Sequence, residues 1–136
     1  MLAMVAVGWL ATRLPGGSAW KAPCAFMSAL LLGWMLCSTG LLALPYPEFL
    51  IAASSIGLAL LLVVGTKLHP RLVVALAGLF AISHGWIHAY EMPAGSGAWS
   101  YLLGFMCATS VLLSLGMVVG RAISVWSTRR QKRAPY

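Results

Sequence analysis

The chain has 136 residues, of which 61% are hydrophobic and only 8% are charged. Because soluble domains carry about 25% charged residues, this composition excludes a water-soluble globular protein and predicts an integral membrane protein in contact with the lipid bilayer. The formal net charge is +7, but the basic residues lie in short loops and at the C-terminus, so we expect no nucleic-acid partner.

Five apolar runs follow one another along the chain, separated by turn-forming residues. They cover about 1–14, 22–44, 49–66, 72–90 and 99–120. A helix rises 1.5 Å per residue, so about 20 residues are needed to cross a hydrocarbon core of about 30 Å. The sequence therefore predicts an all-α fold, a polytopic transmembrane helical bundle of about five membrane segments within residues 1–126. A basic cytoplasmic tail is predicted at 127–136.

The first of these runs, "MLAMVAVGWLATRL", is too short to cross the bilayer. As a helix it would be only about 21 Å long, and it lacks the basic n-region and the cleavage site of a signal peptide. We interpret it as a truncated membrane segment, the second half of a helix whose first half is missing.

All nine basic residues fall on one side of a five-crossing topology. They are Arg13, Lys21, Lys67, Arg71, Arg121, Arg129, Arg130, Lys132 and Arg133. The two acids, Glu48 and Glu91, lie in or beside the two loops of the opposite side. Because cytoplasmic loops hold an excess of Lys and Arg, we expect the N-terminus outside and the C-terminus in the cytoplasm.

Three cysteines, Cys24, Cys37 and Cys107, lie scattered in the apolar runs without CxxC spacing. This pattern argues against a disulfide framework. We expect the three side chains to behave as small buried hydrophobic groups.

The fourth segment carries ionisable groups in the stretch "SHGWIHAYEM". The spacing of His84, His88 and Glu91 places all three on one face of a helix. Imidazole suits nickel, zinc, copper and cobalt, and a carboxylate adds a harder ligand. Since ionisable groups inside membrane segments generally face an interior or a water-filled path, the pattern predicts a metal site at His84, His88 and Glu91, with the glutamate at the outer mouth.

Other functions compete for the same residues. A proton relay would use the same side chains, and a non-transporting subunit that anchors or assembles a metalloenzyme would use the histidines for packing hydrogen bonds. A b-type haem is disfavoured because its axial ligands approach opposite faces of the iron. No G-x-x-x-x-G-K-[ST] loop is present, so the sequence indicates no ATPase, and uptake would be facilitated, coupled to ions or dependent on a partner. We expect the protein not to be an enzyme and to hold no permanently bound cofactor.

Small residues recur at helical spacing in two other segments. They form the patterns Gly116-x-x-x-Gly120 and Ala53-x-x-x-Gly57, which suit close helix contacts in a membrane. The alternative is that such patterns arise simply because glycine is frequent in membrane helices. Gly85 leaves room beside His84 for a neighbouring helix or an ion.

The stretch "HGWIHAYEMPAG" followed by "YLLGFMCATSVLLSLG" resembles the HupE/UreJ family. The family motif H-G-x-x-H-x-x-E-x-P carries over to His84, Gly85, His88, Glu91 and Pro93. The next helix matches at Gly104 and Phe105, and "MLAMVAVGWLA" is similar to the family near its N-terminus. The resemblance implies a nickel permease of the bacterial inner (cytoplasmic) membrane that supplies hydrogenase or urease maturation. Ni²⁺ is the first choice of ion, while Co²⁺, Zn²⁺, Cu²⁺ and a homo-oligomeric state stay open.

The chain departs from the family pattern at its start. The family carries an H-P-x-x-G-x-D-H motif just before the "LLAM" stretch, and this sequence begins after that point. Two explanations are open, a start codon assigned too far downstream or a truncated, inactive relative, and the undamaged remaining segments favour the first.

Overall fold

A computed structural model describes residues 2–13, 20–41 and 46–133 of the chain. These residues form five α-helices: α1 (Leu2–Arg13), α2 (Lys21–Ser38), α3 (Pro47–Val64), α4 (Pro70–Tyr90) and α5 (Ala98–Arg133). A short 3₁₀ turn at Gly65–Lys67 follows α3, and the described ranges contain no strand. The predicted all-α fold is confirmed. The predicted ends of the first two segments, at Leu14 and Leu44, lie outside the described residues.

Four of these helices, α2 to α5, are long and apolar enough to cross a membrane. The first helix covers 12 of the described residues. The last has 36 residues and is therefore about 54 Å long, well beyond a hydrocarbon core of about 30 Å. It continues past Gly120 and through most of the predicted basic tail as one helix.

Two helices begin at a proline that the sequence places after a turn. Pro47 and Pro70 occupy the first turns of α3 and α4, where a missing N–H leaves no helical hydrogen bond unmade. His69 precedes Pro70, and its Nδ1 accepts a hydrogen bond from the backbone N–H of Arg71 at 3.3 Å. The third histidine of the chain therefore caps α4 rather than joining the other two.

The helices alternate in direction through the bundle. Gly120 in the second half of α5 lies against Thr12 at the end of α1. Leu10, Leu61 and Val73 form one cluster, which brings the ends of α1 and α3 to the start of α4. We call this the basic end of the bundle. The residues beside it are Arg13, Lys21, Lys67, Arg71 and Arg121.

The core draws on all five helices. Its buried members are Ala3, Met4, Val7, Phe26, Leu30, Leu58, Ala81 and Leu113. Large apolar side chains such as Ile56, Leu60 and Val63 are instead 58–70% exposed. Since lipid tails are as apolar as leucine, such an outer surface belongs in a bilayer, and the chain is a multi-pass membrane protein.

Two glycines set the contact between α2 and α4. A Cβ atom on Gly85 would overlap the backbone carbonyl of Leu30, and one on Gly33 would overlap the carbonyl of Ile82. The two helices therefore approach backbone to backbone, as small residues allow in membranes. The space that Gly85 leaves is filled by α2 rather than by an ion path.

A second glycine contact joins α1 to α5. Gly8 and Gly116 face each other, and a Cβ atom on Gly116 would overlap the carbonyl of Val5. A Cβ atom on Gly120 would lie 2.7 Å from Cδ1 of Trp9. The prediction that Gly116-x-x-x-Gly120 is a packing surface is confirmed.

The three cysteines are free thiols, and the expectation that they are buried was wrong for two of them. Cys24 and Cys107 are exposed on the outside of the bundle, and Cys37 is half-buried. Apolar surroundings in the sequence indicate contact with lipid as readily as contact with the core.

Candidate metal site

The two histidines of α4 lie one turn apart on the same side of the helix. The ring centroids of His84 and His88 are 6.0 Å apart, and the ring planes are tilted by 53°. His84 is only 5% exposed, and His88 is half-buried. The spacing of four residues thus brings the imidazoles together inside the bundle, as the sequence predicts.

His84 has a polar partner on the neighbouring helix α3. Its Nδ1 atom lies 2.8 Å from Oγ of Ser54, at hydrogen-bonding distance. The Ser54 side chain is 2% exposed, and its hydroxyl also donates to the backbone carbonyl of Ile51 at 3.1 Å. One nitrogen of the buried imidazole is therefore satisfied by the protein itself.

His88 faces a different helix. Its ring packs against Phe105 of α5 with the centroids 4.4 Å apart and a tilt of 40°. The histidine pair therefore lies between α3 on the His84 side and α5 on the His88 side.

Glu91 lies just beyond the end of α4. The helix ends at Tyr90, and the backbone N–H of Glu91 donates to the carbonyl of Ile87 at 2.8 Å. The Glu91 side chain is exposed, three residues beyond His88 in the chain. It is thus placed at the rim of the bundle, at the end opposite the basic end.

The structure brings together two of the three predicted ligands. Among residues 2–13, 20–41 and 46–133, no three side chains of His, Cys, Asp or Glu lie close enough to hold one metal ion. A metal–imidazole bond of about 2.0–2.1 Å puts two rings that share an ion roughly 5–6 Å apart, centre to centre. The separation of 6.0 Å is compatible with that arrangement. Metal binding by His84, His88 and Glu91 stays a prediction.

Ser54 is the residue of this site that sequence reasoning missed. The signal was present, since "SS" at positions 54 and 55 interrupts an otherwise apolar third segment. Serine is common in membrane helices, where it either bonds its own helix or bonds a neighbour. The sequence alone gives no indication of which of the two serines faces α4.

The comparison with known proteins places this sequence in a family. Residues 1–134 match the family model described as HupE / UreJ protein. The chain belongs to the HupE/UreJ family. The resemblance noted from the sequence motifs is therefore confirmed.

One curated member of the HupE/UreJ family is Protein HupE of Rhizobium leguminosarum bv. viciae. It is 38% identical to this chain over 117 residues, which are 86% of this chain and 61% of that protein. The chain thus spans less than two thirds of the length of the HupE protein that it matches. No solved structure matches the chain.

Proposed function

We propose that this HupE/UreJ protein is a membrane permease for a divalent transition metal, with Ni²⁺ as the first candidate, and that it supplies hydrogenase or urease maturation. One observation carries the proposal: two imidazoles stand one turn apart inside a helix that is apolar enough to cross the membrane. Ionisable groups at that depth are costly and mark pathways. The family membership supports a role in handling metal rather than catalysis.

The three residues define an order of contact for the incoming ion. The exposed carboxylate of Glu91 attracts a hydrated cation at the rim. His88 is half-buried, and His84 lies about 6 Å deeper along the helix. Two nitrogen donors hold an ion more weakly than a four-ligand structural site does, and weak holding lets the ion leave on the inner side.

The charge distribution supports an orientation in the bacterial inner membrane. The basic end of the bundle belongs in the cytoplasm by the positive-inside rule. The start of α1 and the rim with Glu91 then face outward. The ion enters beside the acid and is released toward the maturation machinery inside.

A second function is favoured by the Ser54–His84 contact. A histidine with a buried hydrogen-bond partner serves equally well to pin two helices of a subunit that anchors or assembles a metalloenzyme without transporting ions. The described residues also hold no cluster of three metal-binding side chains. An anchor of this kind would bind no free metal.

Transport by reconstituted protein separates the two functions. The purified full chain is inserted into lipid vesicles that contain a Ni²⁺-sensitive dye, and initial uptake is compared for wild type, His84→Ala, His88→Ala and His69→Ala. The permease predicts that either α4 substitution lowers uptake by about tenfold or more. His69→Ala, which removes the exposed helix cap, leaves uptake near the wild-type rate. Equal uptake by all four proteins and by empty vesicles would support the anchor.

A further inference from the structure

Serine hydroxyls in this bundle generally bond within their own helix. The serines that donate to a carbonyl four residues earlier are Ser28, Ser38, Ser83, Ser110 and Ser114. Such local bonds satisfy the single hydroxyl proton without a neighbouring helix. In these five serines the hydroxyl proton is donated to a backbone carbonyl of the same helix.

The Ser54 hydroxyl also bonds to a carbonyl of its own helix, and in addition it contacts a side chain of the neighbouring helix α4. Its hydroxyl reaches the carbonyl of Ile51 at 3.1 Å and Nδ1 of His84 at 2.8 Å. A hydroxyl carries one proton and two lone pairs. A proton turned toward Nδ1 would require the His84 tautomer that carries its own proton on Nε2. We take the hydroxyl as the donor to the Ile51 carbonyl, which can only accept, and this leaves the Ser54 oxygen to accept a hydrogen bond from His84.

The donor in that second bond is then the Nδ1–H group of His84. A neutral imidazole has one N–H, so a proton on Nδ1 leaves a free lone pair on Nε2. Both side chains are at most 5% exposed, so bulk water does not compete for either partner.

We propose that Ser54 is a positioning residue for the transported ion, because its oxygen accepts the Nδ1–H of His84 and thereby keeps Nε2 free to bind the cation. The proposal rests on the metal-permease function proposed above. A partner on the second ring nitrogen fixes the tautomer and orientation of a metal-binding histidine and raises its basicity. The ligand class is a divalent cation that accepts a neutral imidazole nitrogen.

The tautomer can be measured without any metal. Nitrogen-15 NMR of the histidine side chains, on the full chain in lipid nanodiscs at about pH 8 where imidazole is neutral, distinguishes the two neutral forms. The proposal predicts that wild-type His84 carries its proton on Nδ1. A proton on Nε2 would overturn it, whether or not the protein transports metal.

Substitution of Ser54 then tests the effect on the ion. Ser54→Ala removes the acceptor and is predicted to weaken Ni²⁺ binding by about 10–100-fold and to shift His84 to a mixture of tautomers. The matched control is Ser55→Ala, the same change one residue along α3. Ser54→Thr retains the hydroxyl and is expected to restore the Nδ1–H form and most of the affinity.

The outcomes distinguish the inference from the function on which it rests. Unchanged affinity and an unchanged tautomer in Ser54→Ala would overturn the positioning role while the permease stands. Absence of Ni²⁺ binding in the wild type would overturn the permease and any role in ion passage. If Ser54→Ala does not fold, the wild-type tautomer and the Ser54→Thr variant still decide the question.

Discussion

Neighbouring residues of α4 face two different interfaces, and the two are built in opposite ways. Gly85 lies against the backbone of Leu30 on α2, where two helices meet with no side chain between them. His84 meets Ser54 on α3 through a polar contact of 2.8 Å. The α2–α4 interface is apolar and close, whereas the α3–α4 interface contains a buried hydrogen bond.

The two interfaces have different roles: the α2–α4 contact stabilises the bundle, and the α3–α4 contact belongs to the candidate metal site. In a membrane, association depends on close van der Waals packing, and an interhelical hydrogen bond contributes only about 0.6 kcal/mol on average. The glycine contact therefore contributes mainly to folding. The Ser54–His84 contact is expected to contribute less to stability, and under the proposed permease function its role is to set the tautomer of the imidazole.

The largest expected loss of stability comes from placing a side chain at the close α2–α4 interface. Gly85→Ala places a Cβ atom on the carbonyl of Leu30, and backbone cannot move aside as a side chain can. We expect the free energy of unfolding to fall by about 3 kcal/mol or more, measured by denaturant unfolding in detergent with circular dichroism.

The matched control for that experiment lies two turns earlier in α4. A Cβ atom on Gly78 meets no atom within 4 Å, so Gly78→Ala should leave stability unchanged or raise it by at most about 1 kcal/mol. Equal destabilisation by the two substitutions would show that the α2–α4 contact is not the close one described.

An intermediate loss of stability is expected at a glycine that packs against a side chain instead of against backbone. A Cβ atom on Gly57 would meet the ring of Phe80, with Cε2 at 2.7 Å, and the ring can turn away at a cost. Gly57→Ala should lower the free energy of unfolding by about 1–2 kcal/mol. Gly104→Ala, with open space around it, is the control, and a loss in Gly57→Ala as large as in Gly85→Ala would contradict this ranking.

The smallest effect is expected for Glu91 at the rim of the bundle, and it concerns ion uptake and not stability. Glu91→Gln keeps the shape of the side chain and removes the charge that attracts the cation. Because Glu91 is exposed, we expect unchanged stability and an increase of about threefold in the Ni²⁺ concentration that gives half-maximal uptake, an increase that high salt abolishes. A loss of uptake as complete as in His84→Ala would instead make Glu91 a direct ligand.

Much of the architecture follows from local features of the sequence. Apolar runs, the prolines at 47 and 70 and the alternating charges predict the helices and their alternation, because length and hydropathy constrain what can cross a bilayer. The spacing of four between His84 and His88 predicts their shared face.

The remaining features depend on tertiary contacts that no local pattern specifies. Glu91 continues the helical spacing, but α4 ends at Tyr90, so the exposed carboxylate lies at the rim of the bundle and not inside it with His84. Ser54 could be distinguished from Ser55 only once the rotation of α3 against α4 was known. The exposed cysteines show the same limit, since apolar sequence does not separate core from lipid-facing surface.

Isothermal titration calorimetry of the purified full chain in lipid nanodiscs, with Ni²⁺ as the titrant, tests most directly the claim that His84 and His88 bind the ion. The account predicts a saturable heat in the wild type and in His69→Ala, and its loss in the His84→Ala/His88→Ala double variant. Saturable binding that survives in the double variant, or no saturable heat in the wild type, would contradict it.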